Sequence, residues 1–574
     1  VIAPFRAAAV QFEPRQFAKA ANLASLTALV EQAAREGAKL ITTPEMGTTG
    51  YCWFDREEVA GEVEAIPGPT TEIFAAIAAK RDCHIVIGMP EVEPDTGQYF
   101  NSAVLIGPSG VVGKHRKTHS YISEAKWSAP GDLDHQVFDT PIGRIALLIC
   151  MDIHFIETAR IVALRGAEII CHISNWLAER TPAPYWISRA FENGCYLVES
   201  NRWGLERTVQ FSGGSCIITP KGEIAAKIDS GDGVASAMID LALTREARAD
   251  PNSSLAGRRP QLYVGLSTNS YLWNPLDFFG LYGHEPLPPG RRSRIGVAQF
   301  MPESAHTENF ATIEALAQEA ASAGADLLVL PELALTGPYQ PGSAQSVLGA
   351  AVSWLMKLAV RLQIHIVGGL AEKDDDRLYN TAVLVGPEGL IGAYRKIHLS
   401  DLDRGWATPG DSWKVFDIPA GRLGLLMGQD AIHPESTRIL SLRGCDIVAC
   451  PAAVRGRFTG EHQGTKVRQN FPIPTGADPC HWHHFRCRGG ENNVYFAFAN
   501  WFAPERDYFG MSGVFGPDTF AFPRRESPIL DGDGVATLEA STENLDSPYP
   551  TNVVRRKDLV SMRLTYQYKL LYSG

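Results

Sequence analysis

Blocks of text from the first part of this chain return, in the same order, in the second. AAVQFEP, beginning at Ala8, reappears as GVAQFMP at Gly296, and GAKLITTPEMGTTGY at Gly37 reappears as GADLLVLPELALTGPY at Gly324. NSAVLIGPSGVVGKHRKTH at Asn101 returns as NTAVLVGPEGLIGAYRKIH at Asn380. PIGRIALLICMD returns as PAGRLGLLMGQD, and each is followed by helix-like text ending in LRGAEII or LRGCDIV. A period this long excludes a solenoid unit and points to a duplicated domain. The 574 residues hold two domains of ordinary size. We expect the first over residues 1–249, a connecting arm over 250–292 and the second over 293–574. The arm is rich in Pro, Gly and Arg at its ends, but LYVGL and YLWNPLDFFGLY make it too aromatic for a disordered linker. It is expected to pack on a surface.

Each half alternates strand and helix. Leu23, Leu26, Val30, Ala33 and Ala34 recur at helical spacing between Asn22 and Glu36, and Gly37 ends the helix. KLITTPE then reads as a buried strand ending at Glu45, and CHIVIGMP and NSAVLIG read as further strands. Such alternation predicts an α/β fold with helices on the faces of a sheet. Periodicity does not say whether there is one sheet or two.

Composition narrows the function. A net charge of −11 with no long basic run argues against nucleic acid as a partner. No stretch has the length and apolarity of a membrane span, so no membrane partner is expected. The opening VIAPFRAAAVQFEP reads as a strand and not as a signal peptide, and the expected compartment is cytoplasmic. Ten cysteines in such a chain do not make a disulfide framework. Cys52, Cys83, Cys171, Cys195, Cys216, Cys445 and Cys450 stand singly in mostly apolar text and read as reduced core residues.

Polar residues stand where buried strands end. Glu45 closes KLITTPE, Lys117 follows GVVGKHR and Cys150 ends IGRIALLIC. Strand ends are where open α/β folds hold functional side chains rigidly. Singly, Glu45 reads equally as a turn carboxylate, Lys117 as a surface charge and Cys150 as a small buried hydrophobe. Taken jointly, in this sequence context, the functional reading outweighs these.

In these motifs the chain resembles the nitrilase superfamily, twice over. PEMGTTGY is similar to that family's glutamate motif, GKHRKTH to its lysine motif, and ICMDIHFIETARIVALRGAEII to its cysteine elbow and following helix. The resemblance implies an αββα sandwich in two tandem copies, with no metal and no organic cofactor. It implies Glu45 as general base, Lys117 as stabilising cation and Cys150 as nucleophile. Glu124, seven residues before Gly131 of the Pro-Gly landmark, matches a second glutamate of the site. The backbone N–H of Met151 would join Lys117 in stabilising an oxyanion. Tyr51, Asn175 and Trp176 occupy positions that face substrate in relatives, and their reading as core packing stands beside that one. The expected reaction is hydrolysis of a small amide or carbamoyl compound through a covalent Cys150 intermediate, releasing ammonia or an amine. Nitrile cleavers of the family commonly place Trp-Glu after the cysteine, and this chain has Met151-Asp152. A nitrilase, or a binding protein that kept its motifs by descent, are the alternatives.

The second copy departs from the first at one decisive position. Ungapped alignment puts Gly428 where Cys150 stands, while Glu332 and Lys396 are kept. Asp403 stands seven residues before Gly410, a shortened counterpart of Glu124. The second half is therefore expected to be a structural partner without thiol chemistry. PCHWHHFRC gathers Cys480, His481, His483, His484 and Cys487, but it aligns with the helical PYWISRAFEN of the first half, and no metal is expected there. Single-domain relatives pair through the helices that follow the cysteine strand, so the resemblance implies an internal pseudo-dimer through the helix-like text after Cys150 and after Gly428, with further homo-oligomerisation left open and the arm from Tyr263 to Tyr282 expected across its shared surface.

Overall fold

The computed structural model describes residues 2–121, 123–177, 179–269, 287–304, 306–468, 481–517, 524–543 and 554–573. The chain forms two units. One comprises Val1–Leu255 with Gly460–Trp482, the other Ala256–Thr459 with His483–Gly574.

The first unit holds two six-stranded sheets. In one, the strand Phe5–Gln11 lies between Gly233–Ile239 and Ala38–Thr42, followed outward by His84–Val92, Tyr99–Gly107 and Gly110–Arg116. Phe5–Gln11 pairs parallel with Ala38–Thr42, and that strand pairs parallel with His84–Val92. Parallel neighbours need a crossover, which the helices Lys19–Arg35 and Pro69–Arg81 supply. These helices bury Leu26, Val30, Ala33, Phe74, Ile77 and Ala78 against Ala8, Val10, Ile41, Ile85, Val104 and Ile106 of the sheet. Each large apolar side chain so buried contributes about 2 kcal/mol.

Alternation along a strand turns every second residue to the opposite face. Along Tyr99–Gly107, Val104 and Ile106 therefore meet the helices while Asn101 faces the other way, toward the second sheet. That sheet runs in the order Ile224–Lys227, Cys216–Ile218, Tyr196–Asn201, Ile169–Ser174, Gly143–Ile149 and Val137–Thr140. Thr42 Oγ1 and Ser200 Oγ meet at 2.6 Å between the two sheets, and both are fully buried. The helices Ile156–Leu164 and Pro184–Asn193 complete an αββα sandwich.

The second unit repeats the plan with sheets of six and five strands and the helices His306–Ser322, Ala350–Leu362, Pro434–Leu442 and His484–Asn492. The predicted alternation thus resolves into two sheets per copy. PYWISRAFEN and its counterpart are helical in both. The seven singly placed cysteines are buried and free of disulfides.

The predicted strand ending at Glu45 stops earlier, at Thr42, and Glu45 lies in the turn beyond it. Pro44 has no N–H to continue a ladder. In the connecting region, the divide between units falls at Leu255 and Ala256. The first residues of the aromatic arm pack within the second unit. Tyr263 is fully buried and its hydroxyl lies 2.7 Å from His398 Nε2, while Trp413 Nε1 donates to Leu262 O at 2.9 Å. The remainder, 270–286, lies outside the described residues.

Described residues of Gly460–Trp482, though part of the second repeat's text, belong to the first unit. Thr465 donates through its N–H to Thr181 O at 2.8 Å, and Lys227 Nζ donates to Gln463 O at 2.8 Å. Trp482 is buried, with Nε1 donating to Ser188 Oγ at 2.8 Å and its ring edge-to-face with Phe191. Among the described residues, no helix is long and apolar enough to cross a membrane.

Candidate active site

Glu45, Lys117, Glu124 and Cys150 are all buried in the first unit. Glu45 comes close to the strand His84–Val92 because Gly88 has no side chain. A Cβ there would lie 2.7 Å from Glu45 Cα and 2.5 Å from Pro44 O. Lys117 follows the strand Gly110–Arg116, and its backbone is clamped on both sides, its N–H donating to Asn101 O at 2.8 Å and its carbonyl accepting from Gly131 N at 2.7 Å. That clamp explains the Pro-Gly landmark, since a Cβ on Gly131 would sit 2.0 Å from Arg116 O. Glu124 opens the short turn Glu124–Lys126. Cys150 follows the strand Gly143–Ile149 with φ +45°, in the left-handed region that non-glycine residues rarely occupy.

Lys117 Nζ lies 2.8 Å from Glu45 Oε1 and 2.7 Å from Glu124 Oε2. Asn101 Nδ2 donates to Oε1 of both carboxylates, at 2.7 Å to Glu45 and 2.5 Å to Glu124. The other oxygen of Glu45 accepts from the backbone N–H of Asn175 at 2.8 Å. Burial pushes Glu124 up to about 7 despite Lys117 beside it. Burial costs Lys117 as well, but Glu124 and Glu45 outweigh it and hold the ammonium well above the ordinary lysine value. Burial, then the Glu45 charge, raise the Cys150 thiol well above its usual range. The resting thiol is therefore protonated, and making a thiolate requires a proton acceptor.

Asp152 ties the cysteine turn to the lysine turn. Its carboxylate accepts from Thr118 Oγ1 at 2.7 Å, from His119 N at 3.0 Å and from Ile149 N at 3.1 Å, and meets His115 Nε2 at 2.9 Å. Burial opposes its charge, but His115 and His119 outweigh burial and hold Asp152 well below the usual carboxylate range. Asp152 thus serves the frame of the site.

The remaining sequence candidates are placed as follows. The Tyr51 hydroxyl donates to Tyr121 O at 3.2 Å, and its ring centroid is 5.6 Å from Lys117 Nζ. The Asn175 side-chain amide is buried with neither atom hydrogen-bonded among the described residues. Trp176 stacks on His154 at 4.6 Å and donates to Glu179 at 2.6 Å. Met151 lies in the first turn of the 3-10 segment Cys150–His154, where N–H groups lack intrahelical partners.

Sequence reasoning missed Asn101, although its counterpart Asn380 stands in the quoted repeat. It also missed His172 and Glu199, which the parallel strands Ile169–Ser174 and Tyr196–Asn201 bring into register. His172 Nδ1 bonds to Glu199 Oε2, and Nε2 lies 3.1 Å from the carbonyl oxygen of Cys150.

The second unit keeps the charged frame. Lys396 Nζ lies 2.6 Å from Glu332 and 2.7 Å from Asp403, and Asn380 Nδ2 donates to both carboxylates. Asp403 thus makes the contacts of Glu124 despite its shorter side chain. Arg488 donates to Ala431 O at 2.8 Å as Arg189 donates to Ile153 O at 2.9 Å. Gly428 takes the elbow's left-handed backbone, φ +36°, without a thiol. Of the cysteine–histidine stretch, His483 caps the helix His484–Asn492 through Phe485 N, and His481 Nε2 donates to Pro182 O at 3.2 Å. Cys480 lies outside the described residues. Among the described residues, no group of three or more His, Cys, Asp and Glu is placed to hold a metal ion.

The chain is 37% identical over 261 residues to a nitrilase of Pyrococcus abyssi, covering 45% of this chain and 98% of that protein. It is 32% identical over 262 residues to an omega-amidase of Xenopus laevis, covering 43% of this chain and 92% of that protein. An amidase from Nesterenkonia sp. of known structure is 25% identical, with a TM-score of 0.37 over 43% of this chain and 94% of that one. The carbon-nitrogen hydrolase family model matches residues 6–249 and again 294–520. The chain therefore belongs to the carbon-nitrogen hydrolase family, as a tandem member carrying two copies of the fold.

Proposed function

We propose that the first unit hydrolyses the C–N bond of a small amide or carbamoyl compound through a covalent intermediate on Cys150. The observation that carries this reading is the buried convergence of Glu45, Lys117 and Glu124, with Asn175 N–H held on the Glu45 carboxylate. Glu45 takes the Cys150 proton as sulfur adds to the substrate carbonyl carbon. The carbonyl oxygen becomes an oxyanion, stabilised by Lys117 Nζ and the N–H of Met151, each donor contributing about 3 kcal/mol to lowering the barrier. Collapse breaks the C–N bond, and the proton on Glu45 passes to the departing amine or ammonia. Glu45 then deprotonates a water that attacks the thioester; the acid leaves and the thiol regains its proton. Lys117 supplies the positive charge in both steps, and Glu124 with Asn101 keeps the ammonium in place.

The second unit keeps the carboxylates and the lysine but has no sulfur at Gly428, which supports reading it as catalytically silent. Similarity to a protein named nitrilase favours a second reading, in which a nitrile is attacked and a thioimidate forms. Similarity to omega-amidases favours the first. Ammonia release from matched amides, carbamoyl compounds and nitriles tests the choice. Higher kcat/KM for amides or carbamoyl compounds is expected, and a clear nitrile preference would overturn the amide reading.

A further inference from the structure

The duplicated fold separates what the framework needs from what the thiol chemistry needs. Both units keep the Glu–Lys–Asn set, the aspartate two residues after the elbow and the arginine of the following helix. A buried polar group outside that common set, formed by His172, Glu199 and Ser174, is present in the unit that holds the cysteine and absent from the other. In the first unit, His172 and Glu199 are register partners on adjacent parallel strands. The same register in the second unit pairs Cys450 with Phe498. Ser174, whose hydroxyl donates to the other oxygen of Glu199, is replaced by Ala452.

His172, Ser174 and Glu199 are fully buried, so their polarity is costly unless it has a use. The ring bridges two groups. Cys150 O can only accept, so Nε2–H donates to it at 3.1 Å, and with the Glu199 carboxylate accepting from Nδ1–H the ring carries both protons. Burial works against a charged ring, yet Glu199 outweighs burial and raises His172 above the ordinary histidine value.

The oxygen that His172 holds belongs to the Cys150–Met151 peptide. In a planar trans peptide the C=O and N–H point to opposite sides of one rigid plane. A donor fixed on Cys150 O therefore sets the direction of Met151 N–H. It also draws electron density toward the carbonyl oxygen, which makes that N–H a stronger donor. The elbow needs such a hold, because Cys150 sits at φ +45°.

We propose that His172, fixed by Glu199, is a positioning residue that aims and polarises the Met151 N–H toward the oxyanion. This rests on the reading of Cys150 as nucleophile and Met151 N–H as oxyanion donor. The second unit, with no thiolate to attack and no oxyanion to stabilise, fills the same register with Cys450 and Phe498.

The test compares two reactions of one thiol in the full chain. Amide hydrolysis develops an oxyanion; alkylation of Cys150 by iodoacetamide displaces iodide at a saturated carbon and develops none. His172→Leu should lower kcat for an amide by about 10- to 100-fold. KM and the alkylation rate at Cys150, followed by peptide mass spectrometry, should change by less than about twofold if only oxyanion stabilisation is lost. Glu199→Gln, which keeps an acceptor for the ring, should give the same selective pattern with a smaller fall, and it serves as the test if His172→Leu does not fold. A parallel fall in turnover and alkylation would mean a merely structural role and overturn the proposal, as would unchanged turnover. Survival of activity in Cys150→Ala would instead overturn the underlying nucleophile reading.

Discussion

The carboxylate of Glu332 occupies the space that a side chain on Gly428 would need: a Cβ there would lie 2.5 Å from Glu332 Oε2. Lys396, Asn380 and the N–H of Ala453 hold that carboxylate in place. The second site has therefore closed over the missing thiol. Gly428→Cys should lower stability by about 2 kcal/mol, as a buried clash at a constrained position does. In a Cys150→Ala background it should yield no measurable hydrolysis. Asp403 takes the place of Glu124 on Lys396 and Asn380, so the obstacle is the Glu332 carboxylate at Gly428 and not a missing acid. A lower Tm together with absent ammonia release checks both parts.

Cys150→Ala should lower kcat by at least about 10⁴-fold, because removing a nucleophile leaves only binding and oxyanion stabilisation. Its far-ultraviolet circular dichroism should match the parent. Residual turnover near the parent rate would place the nucleophile elsewhere.

Burial raises Glu332 to about 7, with Asp403 adding to the shift and Lys396 opposing it. Below the ordinary glutamate value, about 4.3, both folded and unfolded chains hold the proton. Between there and about 7 the unfolded chain releases it first, so this group's contribution to stability is lost as pH rises. Glu332→Gln removes that loss. The Tm of the variant minus that of the parent should therefore increase from pH 5 to pH 8. A constant difference would contradict the raised value.

Trp482 is buried in the first unit against Ser188 and Phe191, although it comes from the second repeat. Trp482→Ala should destabilise that unit by about 3 kcal/mol. A fragment ending at Ala249 lacks this contact as well as those of Gln463 and Thr465. It should be less stable than the full chain and lose activity at a lower temperature. A fragment matching the full chain in rate and Tm would show that the segment is dispensable.

The duplication, the strand and helix alternation and the absence of sulfur at Gly428 were legible in the sequence because each is a local or ordered pattern. Short-range periodicity also located Lys117 and Cys150 at strand ends, and misplaced Glu45 only by carrying the strand past Thr42. What the tertiary structure decided depends on register and on the approach of one sheet to the other. Asn101 bridges Glu45 and Glu124 because an inward-facing strand position meets two turns distant in sequence. His172 finds Glu199 only through the pairing of parallel strands, and Glu332 fills the space at Gly428 only once both sheets are in place. The placement of Gly460–Trp482 with the first unit is likewise a matter of which surface buries Trp482. Hydrophobic pattern specifies which face of an element is covered; it carries no label for the residues that cover it.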